Sequence, residues 1–208
     1  MAGTSKDYDA NEIILGPSEL WLNVAVPGAG ARLTLHTDGT PDATANPSAF
    51  HLGMTVSGCT ISYKPEIQDF GSDELTGPHL SRVISESMSV KGELLQVFDW
   101  DLLALISAGG TYGSHTNTST GYEELTIGGK IALSTFPIAL IGPDISDATK
   151  FWVFQLYKTY NKAGFEFQVS RKEQSKVPFE FMGLSVTTRA MNDTIGNFWR
   201  QGPPPATP

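Results

Sequence analysis

Alternation with a period of two runs along most of this chain, and no linker-like break interrupts it. "ELWLNVAV" at 19–26 places Leu20, Leu22, Val24 and Val26 on one face. "RLTLH" at 32–36 and "CTISYK" at 59–64 repeat the pattern, the latter with Cys59, Ile61 and Tyr63 in phase. Successive side chains of a strand point to opposite faces, so each segment reads as a strand buried on one side. The longest, "RVISESMSVKGELL" at 82–95, sets Ile84, Met88, Val90 and Leu94 against Ser85, Ser87, Ser89, Lys91 and Glu93, with Glu86 breaking the apolar phase. Further strands are expected in "ELTIGGKIAL" (124–133), "FPIALI" (136–141), "KFWVFQLYKTY" (150–160), "FEFQVS" (165–170) and "VPFEFMGLSV" (177–186). Pro137 suits an edge position, and the slip of apolar phase at Gly183 suggests a bulge.

Between these segments, 37–48 is dense in turn formers and reads as a loop, and "GAGAR" at 28–32 as a turn between strands. "PEIQDFGSDELTGP" at 65–78 has no steady period and reads as a long loop, the kind that is functional or ordered on binding. "TYGSHTNTSTGY" at 111–122 reads as a polar loop, and "NKAG" at 161–164 as a turn. One helix is expected, "FDWDLLALISAGG" at 98–110: Asp99 caps it, Phe98, Leu102 and Ile106 share a face, and Gly109 and Gly110 stop it. The expected fold is mainly β, a β-sandwich or barrel with one flanking α-helix. Residues 15–198 form its single domain, 1–14 a flexible arm, and the Pro-rich 199–208 an extended tail.

The chemistry-bearing residues are scattered. The 208 residues carry 14 Lys and Arg against 22 Asp and Glu, a net charge of −8, which is a poor footprint for gripping nucleic acid. His36, His51, His79 and His115 stand far apart, with no metal-ligand spacing. Cys59 is the lone cysteine, so it reads as a small buried apolar residue. There is no GxSxG elbow, so no catalytic set, cofactor or metal is expected. The N-terminus has no apolar run, and neither a signal peptide nor a membrane span is expected. The connector "SRKEQSK" is basic: Arg171, Lys172 and Lys176 sit between two runs of alternating aromatics and read as a surface tip suited to contact with another protein.

The order of these elements carries a resemblance. An early "GPSELWLNVAVPGAGARL" leads through a long loop to "TGPHLSRVISESMSVKGELLQ", then to the helix "VFDWDLLALI". The late segment is "SRKEQSKVPFEFMGLSVTTRAMNDTIGNF". Over roughly 15–198 the chain resembles the major tail tube protein of long-tailed bacteriophages. The resemblance implies a structural virion protein with no enzymatic role, assembled in the host bacterial cytoplasm and carried in the virion tail. Hexameric rings of such subunits stack into a tube around an inner barrel of strands. The partners implied are further copies of the chain, a tape-measure protein and other tail proteins. The genome passes through the lumen without specific binding. An acidic wall fits that role, because phosphates within a Debye length of about 8 Å are repelled and do not lodge. The rival readings are another β-rich virion component (a decoration or tail-terminator protein), a ligand-binding β-sandwich with exposed aromatics such as Trp152 or Tyr157, and a metal-dependent barrel enzyme.

The acidic stretch with Glu66, Asp69, Asp73 and Glu74 is opposite in sign to Arg171, Lys172 and Lys176. The two are expected to meet between subunits, setting register and encounter rate rather than holding the assembly together. Reversing the three cations to Glu should leave the subunit folded and slow assembly, as followed by light scattering. Reversing the four carboxylates to Lys as well should restore part of the rate, and no rescue would leave the connector a solvated tip.

Overall fold

The computed structural model describes residues 18–53, 55–70, 80–95, 100–107, 111–116, 121–128, 133–144, 147, 149–164, 166 and 176–201. Its mainly-β character follows the alternation in the sequence. Among the described residues, the strands are β1 (Glu19–Leu22), β2 (Phe50–His51), β3 (Thr55–Phe70), β4 (Leu80–Leu94), β5 (Thr111–Thr116), β6 (Gly121–Thr126), β7 (Phe136–Pro143), β8 (Phe151–Asn161), β9 (Val177–Gly183) and β10 (Gly196–Arg200). One helix, α1 (Trp100–Ile106), lies between β4 and β5 in sequence, inside the segment where a helix is expected. Eight strands hydrogen-bond in the order β2-β1-β7-β8-β9-β4-β3, with β10 also on β8; β5 and β6 form a separate pair. All registered ladders are antiparallel.

The chain divides into two compact units, and β8 passes from one into the other after Tyr157. In the first unit, β1 pairs with β7 so that Leu20 faces Leu140 and Leu22 faces Ile138 across the ladder. All four are buried. The opposite face carries the cluster Val24, Leu33, Ala139, Ile141, Phe151 and Val153, with Trp21 and Trp199 packed against it. The sequence places Val24 in phase with Leu22, yet it joins the Trp21 side. Asn23 is the cause: its φ of 55° is left-handed, which ends β1 and flips the alternation. Val26 accordingly leaves the core and is exposed.

Other expectations are corrected here. "RLTLH" forms no strand: Asp42 N–H donates to the Thr34 carbonyl and His36 N–H to the Thr40 carbonyl, closing a turn with a single bridge at Leu35 and Pro41. Leu33 is still buried, so the alternation reported burial without a ladder. Pro137 lies in an interior strand rather than at an edge. It is tolerated because the β1 ladder begins one residue later, at Ile138, and only the kinked Asn23 stands opposite, donating to the Pro137 carbonyl. Trp199 and Arg200, expected to open the extended tail, end β10, and beyond them Gln201 N–H donates to the Phe151 carbonyl. Close approach requires glycine at several positions, Gly142 and Gly39 among them. A Cβ at Gly142 would stand 2.4 Å from the Trp152 indole, and one at Gly39, whose φ is +87°, 2.4 Å from the Phe151 ring.

In the second unit β4 pairs with both β3 and β9. Val90, Leu94, Val177, Phe179 and Phe181 are buried, with the last two rings stacked at 5.0 Å. Asn161, buried at the end of β8, donates to the carbonyls of Ile106 and Gly164 and accepts from Glu180 N–H, so it ties α1, the 162–164 turn and β9 together. β9 ends at Gly183 instead of bulging there; Leu184 N–H turns to the Lys158 carbonyl. The polar stretch at 111–122, expected as a loop, contributes the hairpin β5–β6. Thr and Tyr favour strands even without an apolar face to announce them. In the stretch expected as a strand at 124–133, β6 ends at Thr126. Asp99, Gly109, Gly110 and the "FEFQVS" aromatics Phe165 and Phe167 lie outside the described residues.

A polar latch closes two loops of the first unit. Arg189 lies 3.8 Å over the Tyr157 ring, donates through Nη2 to Asp193 at 2.8 Å and through Nη1 to the Pro27 carbonyl at 2.8 Å. Tyr157 Oη donates to Asp193 Oδ1 at 2.5 Å. Burial, then the bond to the Asp193 carboxylate, pushes the Tyr157 phenol up to about 12. The unfolded chain, with an ordinary phenol near pH 10, releases this proton first. The latch's stabilisation is therefore present below about pH 10 and declines as the pH rises toward about 12. Urea unfolding midpoints measured across that window should fall more steeply for the wild type than for Tyr157→Phe. Parallel slopes would mean that Tyr157 titrates normally.

Candidate interaction surface

β3 and β4 continue well past the rest of their sheet. β9 pairs with β4 only from Ser89 to Leu94, whereas β3 pairs with it from Thr55 to Phe70, opposite Leu94 to Leu80. Among the described residues, the outer part of the pair, 63–70 with 80–88, is therefore a two-stranded ribbon with both edges open. Residues 65–70, expected at the start of a loop, are the end of β3. Pro65 and the acidic residues hid this strand, and Pro65 is compatible with it because β3 is an edge strand.

The register separates the ribbon into two chemically distinct faces. Directly opposite residues share a face. One face carries Ile61 opposite Val90, Tyr63 opposite Met88, Pro65 opposite Glu86, Ile67 opposite Val83, and Asp69 opposite Ser81. The other carries Thr60 opposite Lys91, Ser62 opposite Ser89, Lys64 opposite Ser87, Glu66 opposite Ser85, and Gln68 opposite Arg82, and ends in Phe70 opposite Leu80. A register shift between Glu66 and Ile67 makes Ile84 the extra residue of a bulge. The shift brings Val83, not Ile84, into line with Ile67, correcting the expected phase. Glu86, the residue that breaks the apolar phase, accepts from Tyr63 Oη at 2.6 Å on the apolar face.

Among the described residues, nothing covers that apolar face. Tyr63, Ile67 and Val83 are 50%, 58% and 49% exposed, and Ile84 beside them is 52% exposed. Single exposed apolar residues are ordinary, but a run of them along one face of a ribbon marks an interaction surface. An isolated two-stranded ribbon is marginally stable in water and gains stability once a third strand or a packed layer covers it. Sequence reading missed this surface. The signal was the second apolar alternation in "EIQDF" and "LSRVI", on either side of residues 71–79.

The residues expected to form inter-subunit contacts are distributed as follows. Glu66 accepts from Ser85 Oγ on the polar face, and Asp69 accepts from Ser81 Oγ on the apolar face. Lys176, just before β9, has Nζ 3.5 Å from Glu93. Glu93 lies eight residues along β4 from Ser85, about 27 Å in a strand, so Lys176 and Glu66 do not meet within one chain. Asp73, Glu74, Arg171 and Lys172 lie outside the described residues. Lys91, Glu93 and Glu180 line an open cleft of about 510 Å³ at the ribbon's base, over Phe179.

Other candidate residues are occupied locally. Trp152 and Tyr157, which a ligand-binding sandwich would expose, are 6% and 4% exposed. His51 packs edge-on against Trp21 and accepts from Gly53 N–H. Burial pushes the Cys59 thiol up to about 11, opposite to the shift of an activated thiolate. No family model matches the chain, and no curated protein matches it either.

The open ribbon has a measurable consequence in the isolated subunit. Amides of β4 between Ser89 and Leu94, bonded between two strands, should exchange slowly with deuterium. Those between Arg82 and Ser87, bonded to β3 alone, should exchange at least about tenfold faster. Equal protection along β4 would show that the ribbon is covered in the isolated subunit.

Proposed function

We propose that this chain is a structural subunit of a phage tail tube, which self-assembles into stacked, hexameric rings and forms the conduit for genome delivery. The observation that carries the reading is the amphipathic ribbon. Its two open edges are complementary in kind: the outer edge of β3 in one copy can hydrogen-bond the open edge of β4, at 80–88, in the next. Such a contact is heterologous, so repeated copies close into a ring where the rotation divides the circle. Each added copy replaces exposed backbone donors and acceptors with ladder hydrogen bonds and covers Tyr63, Ile67 and Val83. The ribbons then join as a barrel of strands, the inner element that the resemblance to tail tube proteins implies. The phage assignment rests on that resemblance, and the self-association on the ribbon.

The burial of Trp152 and Tyr157 weighs against the ligand-binding sandwich. A tail-terminator or decoration protein could share the ribbon and differs in its product: a terminator closes one ring, whereas a tube subunit stacks rings.

Ile67→Asp combined with Val83→Asp tests the reading. Both side chains are about half exposed, so the isolated subunit should change in stability by only about 0.5 kcal/mol, as surface substitutions do. Sedimentation and negative-stain microscopy should show rings or tubes for the wild type and monomers for the variant. A wild type that stays monomeric under all conditions, or a variant that assembles normally, would overturn the proposal.

A further inference from the structure

The latch formed by Arg189, Tyr157, Asp193 and the Pro27 carbonyl is a costly way to hold two surface loops unless the surface they present is used. Met191 is at the tip of the latched turn, closed by a bond from Asp193 N–H to the Ala190 carbonyl, and it is 97% exposed. The loop to which Arg189 is tied, 26–32, is exposed from Gly28 to Arg32 and is built of Gly28, Ala29, Gly30 and Ala31. Nothing approaches within 4 Å of the Cβ positions of Gly28 and Gly30. The result is a projecting unbranched apolar side chain beside a smooth strip of small residues, held in place before any partner arrives. Preorganisation of this kind lowers the entropy lost on binding. Methionine adapts its shape to an irregular apolar surface.

Charge selects the partner. The platform holds Arg32, exposed at its rim, and Arg189 against the single carboxylate Asp193, which is a net of +1 from two cations and one anion. The apolar face of the ribbon holds Glu86 and Asp69, while the cations Lys64, Arg82 and Lys91 all lie on its other face. The ribbon's apolar face is thus anionic, opposite in sign to the platform's net charge. We propose that the latched loops are the docking platform for the ribbon of a second copy of this chain. Met191 seats against Ile67 and Val83, and Arg32 faces Glu86. This inference rests on the reading of the ribbon as an assembly arm and names the surface that receives its apolar face. The contact is heterologous and uses one ribbon and one platform per copy, so the ribbon edges remain available for strand pairing.

Cysteine cross-linking in the full chain tests it. In a Cys59→Ser background, Met191→Cys and Val83→Cys in one chain should give, on oxidation of the assembled protein, a ladder of multimers on a non-reducing gel. A mixture of the two single variants should stop at dimers. Met191→Cys paired with Ser87→Cys, on the polar face, should give no ladder. Separately, Arg32→Glu should raise the concentration needed for assembly by at least about tenfold, and Glu86→Lys in the same chain should reverse most of that rise. Absence of the Met191–Val83 cross-link in protein that assembles, an equal ladder from Ser87, or unchanged assembly of Arg32→Glu would each overturn the platform. If Ile67→Asp with Val83→Asp abolishes assembly while Met191→Asp assembles like the wild type, the ribbon reading stands and the platform alone fails. A wild type that never assembles overturns both.

Discussion

The hydrogen-bonding demand of β8 is the constraint on which the rest of the structure depends. Every residue from Phe151 to Tyr157 is buried, so its backbone groups cannot turn to water and must be met by other strands. They are met by β7 along one side and by β10 and then β9 along the other. This requirement explains why Trp199 and Arg200 belong to a strand and not to a tail. β10 supplies the ladder from Gly196 to Arg200 opposite Leu156 to Trp152, and Arg200 is further fixed by its bidentate pairing with the buried Asp144. It also explains why glycine is required at Gly142, where the Trp152 indole lies close against the neighbouring backbone.

The ribbon is the opposite case. Among the described residues, its outer strands satisfy one side of each backbone and leave the other open, and its apolar face has no layer above it. Natural sheets usually blunt such edges with proline or inward charges. β3 has Pro65 and β4 has Glu86, yet Ile67, Val83 and Ile84 remain about half exposed. A long open edge beside an uncovered apolar face is a hazard for a monomer and a requirement for a subunit. The same contrast appears in the first unit, where four groups immobilise a turn whose tip is the solvent-exposed Met191. Both features are inexpensive to maintain if they are covered in an assembly.

Much of this was legible from local pattern. The alternation in "KFWVFQLYKTY" and "RVISESMSVKGELL" located β8 and β4, and the apolar spacing with its flanking glycines located α1. The misreadings have specific causes. Periodicity in "RLTLH" reported that Leu33 is buried, but burial does not require a ladder, and the Asp42 and His36 N–H groups bond within a turn instead. "EIQDF" reads as loop because Pro65, Glu66 and Asp69 resemble turn residues, and only pairing with "LSRVI" ten or more residues away makes it a strand. "TYGSHT" is polar on both faces, so nothing in its period distinguishes it from a loop.

By itself the sequence determined which segments alternate, where one helix sits, that the chain is acidic, and that its histidines and lone cysteine are dispersed. These are local properties, carried by neighbouring residues and the geometry of a single strand or helix turn. Tertiary structure alone decided which faces are covered. It buried both sides of β8, left the outer half of β3 and β4 bare, moved Val24 across the sheet through one left-handed residue, and brought Pro27 to Arg189 across 162 positions of sequence. Cover is a long-range property: a side chain's spacing states which way it points, while the strand or loop that meets it there comes from elsewhere in the chain.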